Sequence, residues 1–299
     1  MSLLLAMDAM PIPGPLTIKT AFEFSFAWVP TILIVGYGLC YLVLARRWSR
    51  IKDRRWSPKR SVITFTGLLC VFIATESAIG TYDMTLFSDH MVQHLLLIMV
   101  SSALFAMGAP LQLLLEATPG ALGSLMNRIV DSRVGEFFGR PAIGFACYAI
   151  FIPVTHLTSL FNVMMEHLWV HHAEQLGFLL VGYLFWRPVV NIEPMRHPLG
   201  PGQRLVYLAL AVPVDTFTGL ALAMSDHNTV PALAQMPRNW GPSVISDIRL
   251  GGAIMWIGGD FLMLLAMGPV AFTWMKSEEA KARQIDAELD AREAAQAQP

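Results

Sequence analysis

Two histidines four residues apart, His90 and His94 in SDHMVQHLLLIM, project from one face of a helix with their Cβ atoms about 5–6 Å apart. Two imidazoles so placed can share one metal ion, as in helical zinc sites. The spacing recurs at His167 and His171 in EHLWVHHAEQ, where Glu174 follows His171 by three, and His156 in PVTHLTSLFN adds a fifth imidazole. These five histidines are the candidate metal ligands. Glu174, Asp247 and Asp89 are candidates for orienting them, because a metal-bound imidazole usually donates its other N–H to a carboxylate or a carbonyl. Each has a plainer reading: His90 and His94 can hydrogen-bond to Asp89, Asp83 or backbone, and Asp247, opening SDIRLGGAIMW, is first a helix-capping residue. His172 must point away from the His171 face, His227 sits in the loop DHNTVP, and His197 in PMRHPLG is structural or solvated.

Ligand softness narrows the metal. Neutral imidazoles suit copper or zinc, and a site poor in carboxylates disfavours magnesium and calcium. Met84, Met91, Met164 and Met165 lie nearby and favour Cu(I), although the chain has 17 methionines and most serve packing. Copper as Cu(I) is the leading expectation and zinc the alternative. Three functions follow. The first is non-enzymatic handling of copper. The second is a transmembrane hydrolase in which zinc on three imidazoles activates water and Glu174 or Asp247 is the base; it requires a lipid-sized groove leading to the metal. The third is b-type haem on two histidines, ranked last because the histidines gather near one surface.

The elements that position these residues belong to a membrane. Of 299 residues, 55% are hydrophobic and 14% charged, too apolar for a soluble domain of this size. A spanning helix needs about 20 apolar residues, and seven stretches qualify: 24–45, 61–81, 91–115, 140–160, 168–187, 204–225 and 248–274. The expected fold is all-α, a transmembrane domain over 1–275 followed by a charged tail over 276–299. Basic residues in short loops are held on the cytoplasmic side. Placing the first loop inside puts Arg46, Arg47, Arg50, Lys52, Arg54, Arg55, Lys59 and Arg60 there, and 18 of the 21 basic residues altogether. The amino terminus is then outside, the carboxyl terminus cytoplasmic, and every histidine but His197 at or just below the outer face.

Four acids fall within the spans: Glu76, Glu174, Asp215 and Asp260. An intramembrane carboxylate is expensive unless it is protonated, paired or lining a polar interior; Asp215 can also cap the break at Pro213. The first twenty residues lack the basic start and long apolar core of a cleavable signal and read as a retained outer segment. From Lys276 the tail interleaves acids and bases and continues the last helix into solvent. Cys40, Cys70 and Cys147 lie in apolar runs without CxxC spacing and read as packing residues. A net charge of −1 gives no sign of nucleic acid.

HMVQHLLL at 90–97, GAPL at 108–111, THL at 155–157, HHAEQLGFLLVGYLFWRP at 171–188 and DIRLGGAIMWIGG at 247–259 together cover the third to seventh stretches. On these motifs the chain resembles the CtaG-type family of seven-helix membrane proteins, cytochrome c oxidase assembly factors. The last motif departs from the family's pattern at Ile248 and Ile257. The resemblance implies a role in maturing a haem-copper oxidase in a bacterial inner membrane by handling its copper, with His90, His94, His156 and His171 on motif positions. The implied partners are oxidase subunits and an extracytoplasmic copper carrier, with His167 as an exchange ligand.

Overall fold

The computed structural model describes residues 13–235 and 238–296. The expected outer segment over residues 1–20 thus falls partly outside the described residues. Seven principal helices run in chain order. They are α1 (Trp28–Lys52), α2 (Pro58–Glu76), α3 (opening as Phe87–Leu95), α4 (Pro141–Leu157), α5 (Leu168–Val190), α6 (Pro201–Ala223) and α7 (Val244–Gln296). Shorter helices fill the connections, and the described residues contain no strand.

Helix starts follow local chemistry. Pro58 occupies the first turn of α2, and the Ser57 side chain accepts from the amide of Arg60. Helix α1 has no capping side chain of its own. Glu76, at the end of α2, supplies one: its carboxylate accepts from the Ala27 amide at 2.7 Å and from the Thr31 hydroxyl at 3.0 Å. One of the four intramembrane acids is therefore spent on the free amides and positive dipole end of a neighbouring helix. Of the deeper acids, Asp215 accepts from the Tyr148 hydroxyl at 2.6 Å and Asp260 from the Thr216 hydroxyl.

Helix α3 departs from the uninterrupted segment expected over 91–115. It passes through a π turn at Leu96–Ser101, resumes as Ser102–Gly108, and breaks at Ala109, whose φ of 53° is left-handed, before Pro110–Ala117. A wide turn frees backbone carbonyls, which inside a membrane need protein donors. Helix α5 and Ser102 provide them. Trp186 Nε1 donates to Ile98 O at 2.9 Å, while Ser102 Oγ lies 2.8 Å from Leu97 O and 3.1 Å from Leu179 O. The break in α3 thereby fastens it to α5.

Among the described residues, five helices are long and apolar enough to cross a membrane: α1, Pro58–Tyr82, Phe87–Ala117, α6 and the Val244–Asp290 part of α7. Arg133–Gly139 and α4, bent by 70° from each other, make a sixth if taken as one span. Helix α5 has the length, at 23 residues, but carries His171, His172, Glu174, Gln175 and Arg187. The protein is a multi-pass membrane protein. Helix α7 runs unbroken for 53 residues, and its side chains are almost all exposed beyond Lys276.

Helices α6 and α7 approach through glycines. A Cβ on Gly252 would lie 2.4 Å from Ala223 N and 2.7 Å from Gly219 O. A methyl group there forces the two backbones apart, at about 1–3 kcal/mol for an overpacked site. Gly252→Ala is expected to lower the thermal unfolding midpoint in detergent, followed by tryptophan fluorescence. Gly36→Ala, where nothing lies within 4 Å of the added atom, is expected to leave it in place.

Candidate metal centre

The first turn of α3 is held from the far end of the sequence. Asp247, fully buried at the start of α7, accepts from the amides of Phe87 at 2.8 Å and Ser88 at 3.2 Å and from the Ser88 hydroxyl at 2.6 Å. Arg238 stands 3.5 Å from the same carboxylate. Asp247 thus caps α3 across 160 positions of sequence rather than orienting a histidine, which corrects its candidate role. One turn further, Gln93 donates to Ala74 O at 2.9 Å and to Asp83 Oδ2 at 2.6 Å, tying α3 to the α2 side of the bundle.

So fixed, α3 presents His90 and His94 to α4 and α5. His90, His94, His156 and His171 are all buried, and their rings form a continuous group: His90 to His94 centroids 3.9 Å apart, His90 to His171 5.9 Å, His94 to His156 5.1 Å. Glu174 comes from the same face of α5 as His171. Its Oε2 lies 3.7 Å from His90 Nε2 and 3.8 Å from His94 Nε2. Two overlapping sets of three could hold an ion, His90 with His94 and Glu174, and Asp83 with His90 and His171; within each set the ligand atoms lie within 4.8 Å of one another.

Both nitrogens of His90, Nε2 of His94 and both oxygens of Glu174 are buried without a hydrogen-bond partner. At 3.7–3.8 Å the pairs are too far apart to share a proton well. They are a little wider than the roughly 3.3 Å between two ligand atoms of a tetrahedral ion with bonds of about 2.0–2.1 Å. The donor set, imidazole with one carboxylate, fits a zinc or copper ion.

The neighbouring hydrogen bonds assign the tautomers. His156 Nδ1 lies 2.8 Å from Ile152 O, which only a protonated nitrogen can satisfy, so His156 Nε2 carries a lone pair. That lone pair faces His94 Nδ1 at 3.1 Å; His94 therefore donates from Nδ1 and keeps a bare Nε2 aimed toward Glu174. His156 orients a ligand rather than offering one. His171 Nε2 pairs with Asp83 Oδ2 at 3.1 Å, the arrangement that fixes ring orientation in metal sites. His94 and His156 meet at hydrogen-bond distance, which leaves no room for a porphyrin plane between those two rings.

His167 is not brought to the cluster. Its backbone is extended, φ −135°, because α5 begins only at Leu168, and its side chain is exposed. The expectation of a second i, i+4 pair fails there, since the relation holds only when both residues are helical. Asp89, half-buried beside His90, belongs to neither set. His172 is half-buried with Nδ1 3.4 Å from Gln175, and His227 is exposed beside Asp226. Asp83 and Gln93 were the residues that spacing did not single out. The signal for Asp83 was an acid in the apolar stretch before His90, two helical turns upstream.

An apolar groove of about 420 Å³ between α1, α2, α3 and α5 includes His172 and Gln175 in its lining. The Gln175 amide in turn lies 3.3 Å from His171 Nε2.

A family model described as cytochrome c oxidase caa3 assembly factor (Caa3_CtaG) matches residues 39–277. Among curated proteins, an uncharacterized protein of Mycobacterium bovis is 26% identical over 293 residues, covering 93% of this chain and 43% of its own length. Uncharacterized proteins of Mycobacterium tuberculosis and Mycobacterium leprae match with 26% and 25% identity over the same shares. The chain thus spans less than half the length of these relatives. No solved structure matches.

Removing the Asp247 cap separates its structural role from any role at the metal. Asp247→Ala leaves two buried amides and Arg238 without their partner, at about 2–5 kcal/mol. It is expected to lower the thermal midpoint of the purified protein well beyond Asp89→Ala, and a midpoint equal to wild type would remove the capping assignment.

Proposed function

The chain belongs to the cytochrome c oxidase caa3 assembly factor family, and from that premise we propose that it binds copper at the buried histidine cluster and delivers it to the oxidase during assembly. The observation that carries this reading is the set of bare His90 and His94 nitrogens facing a bare Glu174 carboxylate. Buried polar atoms without partners are costly, and an ion is the partner that would satisfy His90 Nε2, His94 Nε2 and Glu174 Oε2 together. His90, His94 and Glu174 are the proposed ligands, with His171 completing the set. Glu174 also balances the single charge of Cu(I). His156 and Asp83 orient ligands, and the exposed His167 receives the ion at the entrance to α5.

Delivery needs coordination that can be exchanged, and a site assembled from the ends of several helices exchanges ligands more readily than a closed four-cysteine cage. The topology proposed with this function has seven spans, α5 being the seventh, whose polar outer end is accommodated by the cluster it builds. In that topology, which the basic loops support, the cluster lies near the outer face of the bacterial inner membrane and α7 emerges on the cytoplasmic side. Partners are the oxidase subunits and an extracytoplasmic copper carrier. A second reading, a transmembrane zinc hydrolase with Glu174 as base, is favoured by the apolar groove whose lining includes Gln175, itself 3.3 Å from His171 Nε2.

Metal content after Cu(I) loading and washing of detergent-purified protein tests the proposal. Wild type is expected to retain near-stoichiometric copper and His90→Ala/His94→Ala to lose it. His156→Ala is expected to weaken binding by about 10–100-fold, as removal of an orienting partner does, while His172→Ala and His227→Ala bind as wild type. Wild type that retains no copper sinks the reading; tightly held zinc with hydrolysis of a lipid ester or amide, lost in Glu174→Gln, promotes the second.

A further inference from the structure

On the inner side of the imidazole cluster, α3, α4, α6 and α7 enclose a small cavity that the proposed site does not use. Its lining includes Met91, Met99, Met255 and Asp215, with the rings of His94 and His156 forming the wall shared with the cluster. It has room for about one water-sized guest. Three of its nine lining residues are methionine, against 17 in 299 for the chain, so the enrichment exceeds what general packing supplies. The three come from two helices, and all are buried.

The π turn contributes to this arrangement. In a regular helix of 3.6 residues per turn, Met99 would stand about 80° around the axis from Met91. The wider turn beginning at Leu96 rotates less per residue and takes up most of that offset. Met91 and Met99 then both line one cavity, with Met255 of α7 among its other lining residues.

Thioethers are soft, uncharged donors that select Cu(I) and ions like it over zinc, magnesium or calcium. Among the described lining residues the acid is Asp215, 1% exposed, which can give up its proton to an arriving cation, and none is lysine or arginine. Its Oδ2 accepts from the Tyr148 hydroxyl, which supplies a hydrogen bond but no positive charge. A buried carboxylate beside three neutral sulfurs matches a soft monovalent cation in both donor type and charge. A divalent ion would be left with a net positive charge in a low-dielectric interior.

We propose that this cavity is a second metal station, taking Cu(I) or its analogue Ag(I) on Met91, Met99 and Met255 with Asp215 balancing the charge. An ion reaches it past His94, whose ring borders both compartments; this way in rests on the reading of the histidine cluster as a copper site. The inner station is selective for soft ions, whereas the nitrogen and oxygen donors outside it accept zinc as well.

X-ray absorption of detergent-purified protein loaded with Ag(I) alone tests the assignment, with Zn(II) binding to the same preparations reporting on the outer cluster. Wild type is expected to show a silver–sulfur shell. Met91→Leu/Met99→Leu/Met255→Leu, which keeps side-chain volume nearly constant, is expected to lose that shell and to bind Ag(I) at least about tenfold more weakly while binding Zn(II) as before. The wild-type measurement needs no variant to fold: silver held by nitrogen and oxygen alone overturns the inner station, and so does a sulfur shell that survives in the triple variant. Zinc bound normally alongside such a silver result leaves the outer cluster standing. Failure of wild type to bind either ion overturns both the inner station and the copper reading.

Discussion

Three buried groups with unpartnered atoms, the imidazoles of His90 and His94 and the carboxylate of Glu174, are the constraint around which the histidine-bearing half of the bundle is organised. Left to relax, they would move together and share a proton, or admit water. They are prevented from doing so by bonds made elsewhere. Asp247 pins the start of α3, Gln93 and Asp83 brace it against the α2 side, and His156 holds the His94 ring by its other nitrogen. Phe161 meets the His90 ring edge to face and Phe178 packs tilted against the His94 ring. Each bond uses a polar group that would itself be costly in a bilayer, so the supporting acids and amides are satisfied by supporting the site.

Helix α3 bears most of this organisation because it breaks its own ladder. The wide turn below His94 gives up regular hydrogen bonds and recovers them from Trp186 and Ser102. An unbroken helix would have no carbonyl to offer α5 at that depth. Close contact there also needs Gly182, where a Cβ would fall 2.5 Å from Ser102 Oγ and 2.7 Å from Ile98 O. The register of α5 against α3, and with it the meeting of Glu174 with His90 and His94, follows from a local irregularity one turn away.

Much of this was legible in the sequence and some of it could not have been. The spacing of His90 and His94 located half the cluster, since both residues sit inside one helix, and the apolar runs located the helices that face each other. His167 was misplaced because periodicity extrapolates through a helix start, and α5 begins one residue after it. Asp247 was readable as a helix-capping acid, but not as the cap of a helix 160 positions earlier. Pairings of that range depend on how helices pack, which no local pattern encodes. Asp83 reads from the sequence as a partner for His90 or His94; among the histidines the bond it makes is with His171, and it remains within a ligand set's reach of His90. The π turn has no marker in LLIMVS, a run with ordinary helix-forming composition; it is imposed by tertiary donors.

Helix α7 carries a mechanical consequence. Its 53 residues at 1.5 Å each make a rod of about 80 Å, against a hydrocarbon core of about 30 Å. One end is clamped to α3 by Asp247, and the glycine crossing with α6 grips it lower down. Beyond Lys276 its described side chains are almost all exposed, and a hydrogen-bond ladder weakened once, at Pro269, joins that stretch to the clamp. Such a rod is a strut rather than a tether. A body grasping the exposed stretch is held at a set stand-off from the membrane, and a twist applied there arrives, little diminished by slack, at the turn that fixes the histidine-bearing helix.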